Sequence, residues 1–240
     1  MATGSSYKRV VVKLSGEGLC AAGGFGIDAA AVNTVVRELL PLTQMGVQVG
    51  LVVGGGNFIR GRDLAHNPHI QRTTADYMGM MATVINALAL QDALESHGQP
   101  TRVLSSIAMT SICEPFIRRR AIRHLEKGRI VILAAGTGSP FFTTDMCAAL
   151  RAHELNAEAL FKATKVDGVF DSDPVRNPAA KKYDQLGYGK VLADRLGVMD
   201  LPAISLCMES RIPIIVFELA KEGNLARAVA GEKIGTRISD

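Results

Sequence analysis

The sequence alternates short β-branched runs with helical patterns, and this alternation constrains the fold more than any other feature of the chain. Strands are predicted at residues 7–14, 47–53, 101–104, 130–134 and 213–217, and segments with helical apolar periodicity lie between them. Such alternation is typical of a mostly parallel sheet covered by helices on both faces. The sequence therefore predicts a single α/β unit, in which ligands collect outside the carboxyl ends of the strands.

Two valine-rich strands run directly into glycine turns. The first strand ends in KLSGEG at residues 13–18, and the second ends in GGGN at residues 54–57, followed by Arg60. Glycine has no Cβ atom, so backbone N–H groups can approach an anion closely, and the positive end of a following helix favours the same anion. Because flexible glycine turns are common, Lys13 and Arg60 are needed to support the prediction of a phosphate site.

Two later strand ends carry hydroxyl, carboxylate and ammonium groups. The segment AGTGSPFFTTD at residues 135–145 combines glycines, threonines and Asp145 ahead of a helix predicted at residues 146–155. The segment KATKVDGVFDSDP at residues 162–174 supplies Lys162 and Asp173. Alone, this last segment could be a solvated turn with accidental lysines. Together with the glycine turns, it predicts a phosphate site built from several strand ends.

Several common site classes are disfavoured by the sequence. The pattern G-x-x-x-x-G-K-[ST] is absent, and G-x-G-x-x-G fails because Phe141 stands where its third glycine would fall. Standard P-loop kinases and dinucleotide enzymes are therefore disfavoured. The four cysteines form no C-x-x-C pair, which argues against a zinc knuckle or a disulfide framework and favours buried thiols in a reducing compartment.

Charge and hydropathy limit the partners. A net charge of +4 and a pI near 8.9 suit anionic small molecules and are too mild to indicate nucleic acid. An arginine-rich helix is predicted at residues 114–127, and without interleaved aromatic residues it is interpreted as a solvated face that contacts an anionic effector or a neighbouring subunit. No signal peptide and no apolar run of about 20 residues is present, so we expect a cytoplasmic protein with no membrane partner.

A long helical pattern at residues 75–96 is apolar nearly all round, with several methionines. A helix without a polar face is buried. In a chain of this size, the pattern predicts a subunit interface as much as a core, and it is favoured over a methionine-rich ligand surface because helical spacing explains the methionines.

Four motifs together resemble the bacterial uridylate (UMP) kinase family. They are KLSGE from Lys13, GGGNxxRG from Gly54, GTGxPFFTTD from Gly136 and KATKVDGV from Lys162, and the resemblance extends from about Tyr7 to the carboxyl terminus. It implies the amino acid kinase fold, a three-layer αβα sandwich with a mostly parallel central sheet. It also implies one domain over residues 1–240, with a UMP-binding lobe at residues 1–155 and an ATP-binding lobe at residues 156–240.

The activity implied by this resemblance is transfer of the γ-phosphate of Mg-ATP to UMP, which gives UDP in pyrimidine nucleotide biosynthesis. Phosphoryl transfer leaves the protein mainly positioning and charge neutralisation, so cations and backbone donors matter more than a general base. Magnesium is expected to be held mostly by ATP oxygens and water, and no residue of the sequence is identified as its ligand.

The resemblance also implies roles for individual residues. The implied catalytic residues are Lys13, Arg60, Asp145 and Lys162, with Asp145 positioning the lysines. ATP binding is implied for Lys13, Leu14, Ser15, Gly16, Gly56, Arg60, Thr164, Phe170 and Asp173. UMP binding is implied for Gly55, Asp76, Thr137, Gly138, Ser139, Pro140, Phe141, Phe142, Thr143 and Thr144. Among these, Asp76 is expected to accept hydrogen bonds from the ribose hydroxyls.

Members of this family are often hexamers regulated by GTP and UTP, so the resemblance implies a homohexamer with these nucleotides as candidate effectors. Gln91 stands where some GTP-activated members carry arginine, which weakens the expectation of GTP activation. Two other functions stay open. A related kinase acting on carbamate or an acidic amino acid suits Lys13 and the glycine turns but not residues 136–145, and a non-catalytic nucleotide sensor would bind nucleotide without forming UDP.

Overall fold

The computed structural model describes residues 5–59 and 69–240. In this part of the chain the helices are a short 3₁₀ helix (Gly16–Leu19), α1 (Ala29–Gln44), α2 (Arg72–Ser96), α3 (Arg118–Glu126), α4 (Thr144–Glu154), α5 (Tyr188–Ala193), α6 (Leu201–Glu209) and α7 (Asn224–Val229). The strands are β1 (Arg9–Leu14), β2 (Gln48–Val53), β3 (Thr101–Ser105), β4 (Glu114–Pro115), β5 (Ile130–Ala134), β6 (Ala159–Thr164), β7 (Val169–Phe170), β8 (Lys182–Tyr183), β9 (Gln185–Leu186), β10 (Ile214–Glu218) and β11 (Thr236–Ile238).

Among the described residues, nine strands form one sheet in the order β4-β3-β5-β2-β1-β6-β10-β11-β9. Every neighbouring pair is parallel except β10 and β11. β1 lies in the middle between β2 and β6, and its register sets Lys13 opposite both Val52 and Lys162. The mostly parallel sheet expected from the sequence is confirmed.

Helices cover both faces of this sheet because its strands present apolar side chains to both sides. On one face, Val10 and Val12 of β1 lie in a core with residues of α1, α2 and α7. On the other face, Val11 lies in a core with residues of α3, α4, α5 and α6. The α/β fold class is therefore confirmed as three layers, and the carboxyl ends of β1, β2, β5 and β6 all open on one edge.

Some element boundaries differ from those expected. The arginine-rich helix begins at Arg118 rather than at residue 114, because Glu114 and Pro115 pair with the end of β3 instead. β4 has only two residues, which is too short to show a periodicity in the sequence. At the other end of the sheet, β11 lies between β10 and β9.

α2 differs from the expectation of a helix buried all round. One side packs in the core through residues such as Met80, Val84 and Leu90, whereas Tyr77 and Ile85 are 45% and 47% exposed. In a single chain the helix therefore keeps an outward apolar face. In the described part of the chain, no helix is long and apolar enough to cross a membrane.

Candidate active site

The turns after β1 and β2 are in direct contact. The Gly54 backbone N–H donates to the Leu14 carbonyl at 3.0 Å. A Cβ atom at Gly16 would lie 2.6 Å from the Gly54 carbonyl oxygen and 2.7 Å from the Gly56 nitrogen, so only glycine fits there without moving the second turn. By contrast, a Cβ atom at Gly56 would meet nothing within 4 Å. The two glycine turns thus form one continuous backbone surface.

Leu14 and Gly55, which were expected to bind nucleotides, both make packing contacts within these turns. Leu14 packs its side chain in the core, so only its backbone belongs to the turn. A Cβ atom at Gly55 would lie 2.6 Å from the Gly79 carbonyl oxygen and 2.8 Å from the Ala82 Cβ, so this glycine allows α2 to approach the turn closely.

Asp145 holds two lysines from neighbouring strands. Its Oδ1 atom lies 2.8 Å from Lys13 Nζ, and its Oδ2 atom accepts a hydrogen bond from Lys162 Nζ at 2.7 Å. Lys162 also donates to the Val198 carbonyl. All three charged side chains are at most 15% exposed. The structure therefore brings together three of the four residues expected to be catalytic, with two positive charges and one negative charge.

Burial and charge act in opposite directions on this cluster. Burial by itself would raise the pKa of Asp145, but the Lys13 and Lys162 ammonium groups outweigh it and hold that pKa below its ordinary value. Burial also lowers the pKa of Lys162, against the attraction of Asp145 and with added repulsion from Lys13. The cluster thus carries net positive charge while Lys162 is protonated, which suits an anionic ligand.

Two cavities lie near the cluster, and Thr164 belongs to the lining of both. The first, of about 530 Å³, is lined by Lys13, Ser15, Lys162 and Thr164, with α1 on one side. The second, of about 450 Å³, is lined by residues that include Thr164, Phe170 and Asp173. Five of these residues, all but Lys162, were expected to bind ATP, whereas Leu14, Gly16 and Gly56 of that expected set line neither cavity. The first cavity is cationic, and the second has a mixed polar and apolar wall that suits a nucleoside.

The segment at residues 136–144 is held by α2 and α4. Asp76 in α2 accepts from the Phe141 backbone N–H through Oδ2 at 2.9 Å and from Arg72 Nε through Oδ1 at 3.0 Å. Thr143 caps α4 by accepting from the Asp145 and Met146 backbone N–H groups. Asp76 and the segment expected to bind UMP therefore lie together, and Asp76 has partners of its own there.

Within this segment, several residues expected to bind UMP differ in exposure. Gly138 has φ +82 and packs against Ser106, so its conformation and its surroundings both favour glycine. Phe141 and Phe142 are 66% and 53% exposed. The other members of the set are half-buried or exposed at the same edge, namely Thr137, Ser139, Pro140 and Thr144. Arg60 lies outside the described residues.

A model of the amino acid kinase family matches residues 8–218, from the start of β1 to the end of β10. The chain belongs to the amino acid kinase family. This assignment agrees with the central parallel sheet and with a site that is assembled from strand ends rather than from a single phosphate-binding loop.

Three solved structures resemble the chain along almost its whole length. A UMP kinase from Bacillus anthracis is 40% identical with a TM-score of 0.95, covering 98% of this chain and 96% of that one. A UMP kinase from Ureaplasma parvum is 35% identical with a TM-score of 0.90, covering 97% and 99%. A uridylate kinase from Archaeoglobus fulgidus is 29% identical with a TM-score of 0.74, covering 96% and 99%. The resemblance seen in the four motifs is confirmed over nearly the whole chain.

The donor set of this amino acid kinase site fits a metal that arrives with its nucleotide. Among the described residues, no group of three or more histidine, cysteine, aspartate or glutamate side chains could hold a metal ion. Both carboxylate oxygens of Asp145 are paired with lysine ammonium groups. Mg²⁺ usually keeps several waters and binds substrate phosphates, so these surroundings suit Mg-ATP without a dedicated protein cage.

The structure assigns contacts at the site to three residues for which the sequence predicted no role. Asn86 bonds to the second glycine turn from within α2, and Thr83 accepts from the Ala135 backbone N–H at 2.8 Å. Asp200 accepts from Thr143 Oγ1 at 2.5 Å. The only sequence signal for Asn86 and Thr83 is a polar residue in an apolar helical pattern, whereas the contact of Asp200 depends on the tertiary fold.

The candidate effector region is a separate cavity of about 460 Å³, lined by residues that include Gln91, Arg102, Glu114 and Arg120. Its charges are partly paired, because Arg102 and Arg120 both contact Glu114. This pairing agrees with the interpretation of the arginine-rich helix as a solvated face.

Proposed function

We propose that this amino acid kinase transfers the γ-phosphoryl group of ATP to UMP and releases ADP and UDP. The observation that carries the proposal is the Lys13–Asp145–Lys162 cluster, which presents two cations at the ends of adjacent strands near two cavities that share Thr164 in their linings. Support also comes from the solved UMP kinases that match nearly the whole chain.

In this proposal the protein supplies positioning and charge. A phosphate oxygen of UMP attacks the γ-phosphorus, and the bond from that phosphorus to the bridging oxygen breaks, leaving its electron pair on ADP. The attacking phosphate is already mostly ionised near pH 7, since its second pKa is about 6, so no general base is needed. Lys13 and Lys162 stabilise the charge that spreads over the transferring group, and Asp145 keeps both ammonium groups in place.

ATP and UMP approach from two sides of the cluster. The ATP phosphates lie over Ser15 and Gly16, where backbone N–H groups and Lys13 meet, and the nucleoside occupies the cavity of Thr164, Phe170 and Asp173. UMP lies along residues 137–144, beside Asp76 and the second glycine turn. Magnesium, bound as Mg-ATP, supplies neutralisation of the phosphate charge.

The wider biological setting belongs to the same proposal. Residues 1–155 form the UMP-binding lobe and residues 156–240 the ATP-binding lobe, in a cytoplasmic homohexamer that serves pyrimidine nucleotide biosynthesis. GTP and UTP are the candidate effectors. The outward apolar face of α2 supports an oligomer. The excess of arginine over glutamate in the lining of the Gln91 cavity, where Arg102 and Arg120 share Glu114, supports an anionic effector.

A panel of phosphate acceptors tests the proposed function. With Mg-ATP and native protein, ADP release is followed for UMP, CMP, dUMP, carbamate and aspartate. UMP is expected to give the highest kcat/KM, with carbamate and aspartate at background. Turnover of carbamate or aspartate in place of UMP would assign a different amino acid kinase activity, and tight ATP binding with no turnover of any acceptor would assign a nucleotide sensor.

A further inference from the structure

A pair of buried amides lies directly beneath the second glycine turn. Asn57 Nδ2 donates to Asn86 Oδ1 at 2.9 Å, and Asn86 Nδ2 donates to Asn57 Oδ1 at 2.7 Å. Asn57 is 2% exposed and Asn86 is fully buried. Such reciprocal bonding fixes both side-chain orientations, because each amide is donor and acceptor to the other.

The remaining donor of each amide reaches a backbone carbonyl. Asn57 donates to Gly26 at 2.7 Å, and Asn86 donates to Gly54 at 2.8 Å. Asn57 Oδ1 also occupies the space beside Gly16, where an added Cβ atom would lie 2.6 Å from it. The pair therefore joins both glycine turns, the loop before α1, and α2.

Stability alone is a weak reason for such a pair. A buried hydrogen bond contributes about 1 kcal/mol net, and an apolar pair of similar shape can replace two bonded polar groups at little cost. What an apolar pair cannot do is fix the direction of the Gly54 carbonyl and, through it, the N–H groups of the turn.

Two other side chains of α2 also bond to the backbone of a turn at the site. Thr83 Oγ1 accepts from the Ala135 backbone N–H at 2.8 Å, and Asp76 accepts from the Phe141 backbone N–H at 2.9 Å. One helix thus fixes the backbone of the second glycine turn and of the turn after β5. Of these three side chains of α2, only Asn86 is an amide, and it donates to the Gly54 carbonyl where the two glycine turns touch.

We infer that the Asn57–Asn86 pair is a positioning element for phosphoryl transfer, which holds the backbone of the second glycine turn against Gly16 in the geometry of the transition state. The inference rests on the proposed function, because it assigns the turn to the transferring phosphoryl group. Neither asparagine touches a substrate in this account; both act through the backbone of Gly54 and its neighbours.

The test compares Asn86→Leu with Gln99→Met. Leucine has nearly the shape of asparagine and cannot donate to Gly54. Gln99 is a matched control, because it is a buried amide that donates to the Pro100 and Gly128 carbonyls, away from the strand ends that form the site. Both variants are measured for thermal unfolding and for kcat and KM with UMP and Mg-ATP.

Both variants should lose stability, but only Asn86→Leu should lose turnover. We expect its kcat to fall by about 10-fold to 100-fold, since a misplacement of about 1 Å can cost about 100-fold, with each KM within about threefold of native. Gln99→Met should keep kcat within about twofold. If Asn86→Leu does not fold, the smaller Asn86→Ser, which also lacks an amide donor to Gly54, is measured in the same way.

The outcomes separate the inference from the proposed function. If native protein forms no UDP, the proposed function fails and the inference fails with it. If native protein forms UDP and the folded Asn86 variant keeps kcat within about threefold, or loses kcat only in proportion to a loss shared by Gln99→Met, the pair is structural and the inference alone is overturned.

Discussion

The fold makes the ammonium group of Lys162 easier to deprotonate. Burial lowers its pKa below the ordinary value of 10.5, and Lys13 adds repulsion, while Asp145 opposes both. The charged form is the one that neutralises phosphate, so turnover depends on Lys162 keeping its proton. The folded protein should therefore lose this charge at a lower pH than a free lysine would.

We predict that kcat falls as pH rises through an apparent pKa below 10.5, which reports the loss of the Lys162 proton. In Lys162→Arg the guanidinium stays charged throughout this range, so whatever activity remains should lack that alkaline fall. The pH profile of kcat, normalised to its own maximum for each protein, makes the comparison. An alkaline fall at the same pH in both proteins would assign it to another group.

Asp76 accepts a hydrogen bond from the Phe141 backbone N–H, and it is also the residue expected to accept hydrogen bonds from the ribose of UMP. Substitutions can distinguish the structural role from the substrate-binding role. Asp76 lies in the second turn of α2, which begins at Arg72, so a simple helix-dipole role is weakened. Native protein should prefer UMP to dUMP in kcat/KM by at least about tenfold, because a carboxylate placed for hydroxyl donors is left unpaired by a deoxyribose.

Asp76→Ala should collapse this preference, chiefly by weakening UMP. Asp76→Asn is the matched variant, because its carbonyl oxygen can still accept from Phe141 while its amide replaces one acceptor of the sugar. If both variants lose the preference, Asp76 reads the sugar. If both keep the native ratio of UMP to dUMP, the sugar is read by another residue and Asp76 only anchors the segment.

At the scale of elements, the sequence predicted the strands and turns well because each strand carries its own local pattern. β5 has the expected bounds, and the valine-rich β1 and β2 end at the expected glycine turns. The two-residue strands β4, β7, β8 and β9 were missed, since two residues carry no period.

The sequence predicted the motifs that form the site, but it did not predict the contacts between them. Lys13 and Lys162 were expected at separate strand ends, but their adjacency depends on the pairing of β1 with β6. The bond from Lys162 to the Val198 carbonyl and the bond from Thr143 to Asp200 join segments far apart in sequence. Such contacts leave no local pattern, so only the fold reveals them.

The glycine turn after β2 gives a prediction with an internal control. Gly55→Ala should lower the unfolding temperature, because its Cβ would lie 2.6 Å from the Gly79 carbonyl oxygen and force α2 away. Gly56→Ala should fold normally, since its Cβ meets nothing within 4 Å, and should lose turnover because a methyl group then faces the phosphates. Thermal unfolding and kcat are measured for both. Equal losses of stability would show that Gly56 is packed rather than open to a ligand.

At the scale of the whole molecule, the outward face of α2 predicts self-association. Tyr77 and Ile85 expose apolar surface on a helix that also carries Asp76 and Asn86, and such a face is unfavourable in water. We predict an obligate oligomer that Ile85→Asp dissociates or unfolds. Ile117 is a matched control, because it is also 47% exposed but precedes α3 on the opposite face of the sheet.

Light scattering at micromolar concentration measures the mass of each protein. Native protein and Ile117→Asp should share one mass well above that of a single chain. A stable and active native monomer of 25.6 kDa would rule out the α2 interface.

The central claim is that the cluster at the ends of β1 and β6 transfers phosphoryl groups to UMP, and UDP formation by matched proteins tests it most directly. Native protein, Lys13→Ala and Lys8→Ala are purified identically, and Lys8 is an exposed control that immediately precedes the first residue of β1. UDP is measured directly after mixing with UMP and Mg-ATP. Native protein and Lys8→Ala should form UDP at equal rates, and a folded Lys13→Ala should be slower by about 10²–10⁴. No UDP from native protein, or a Lys13→Ala rate within about threefold of native, would contradict the account.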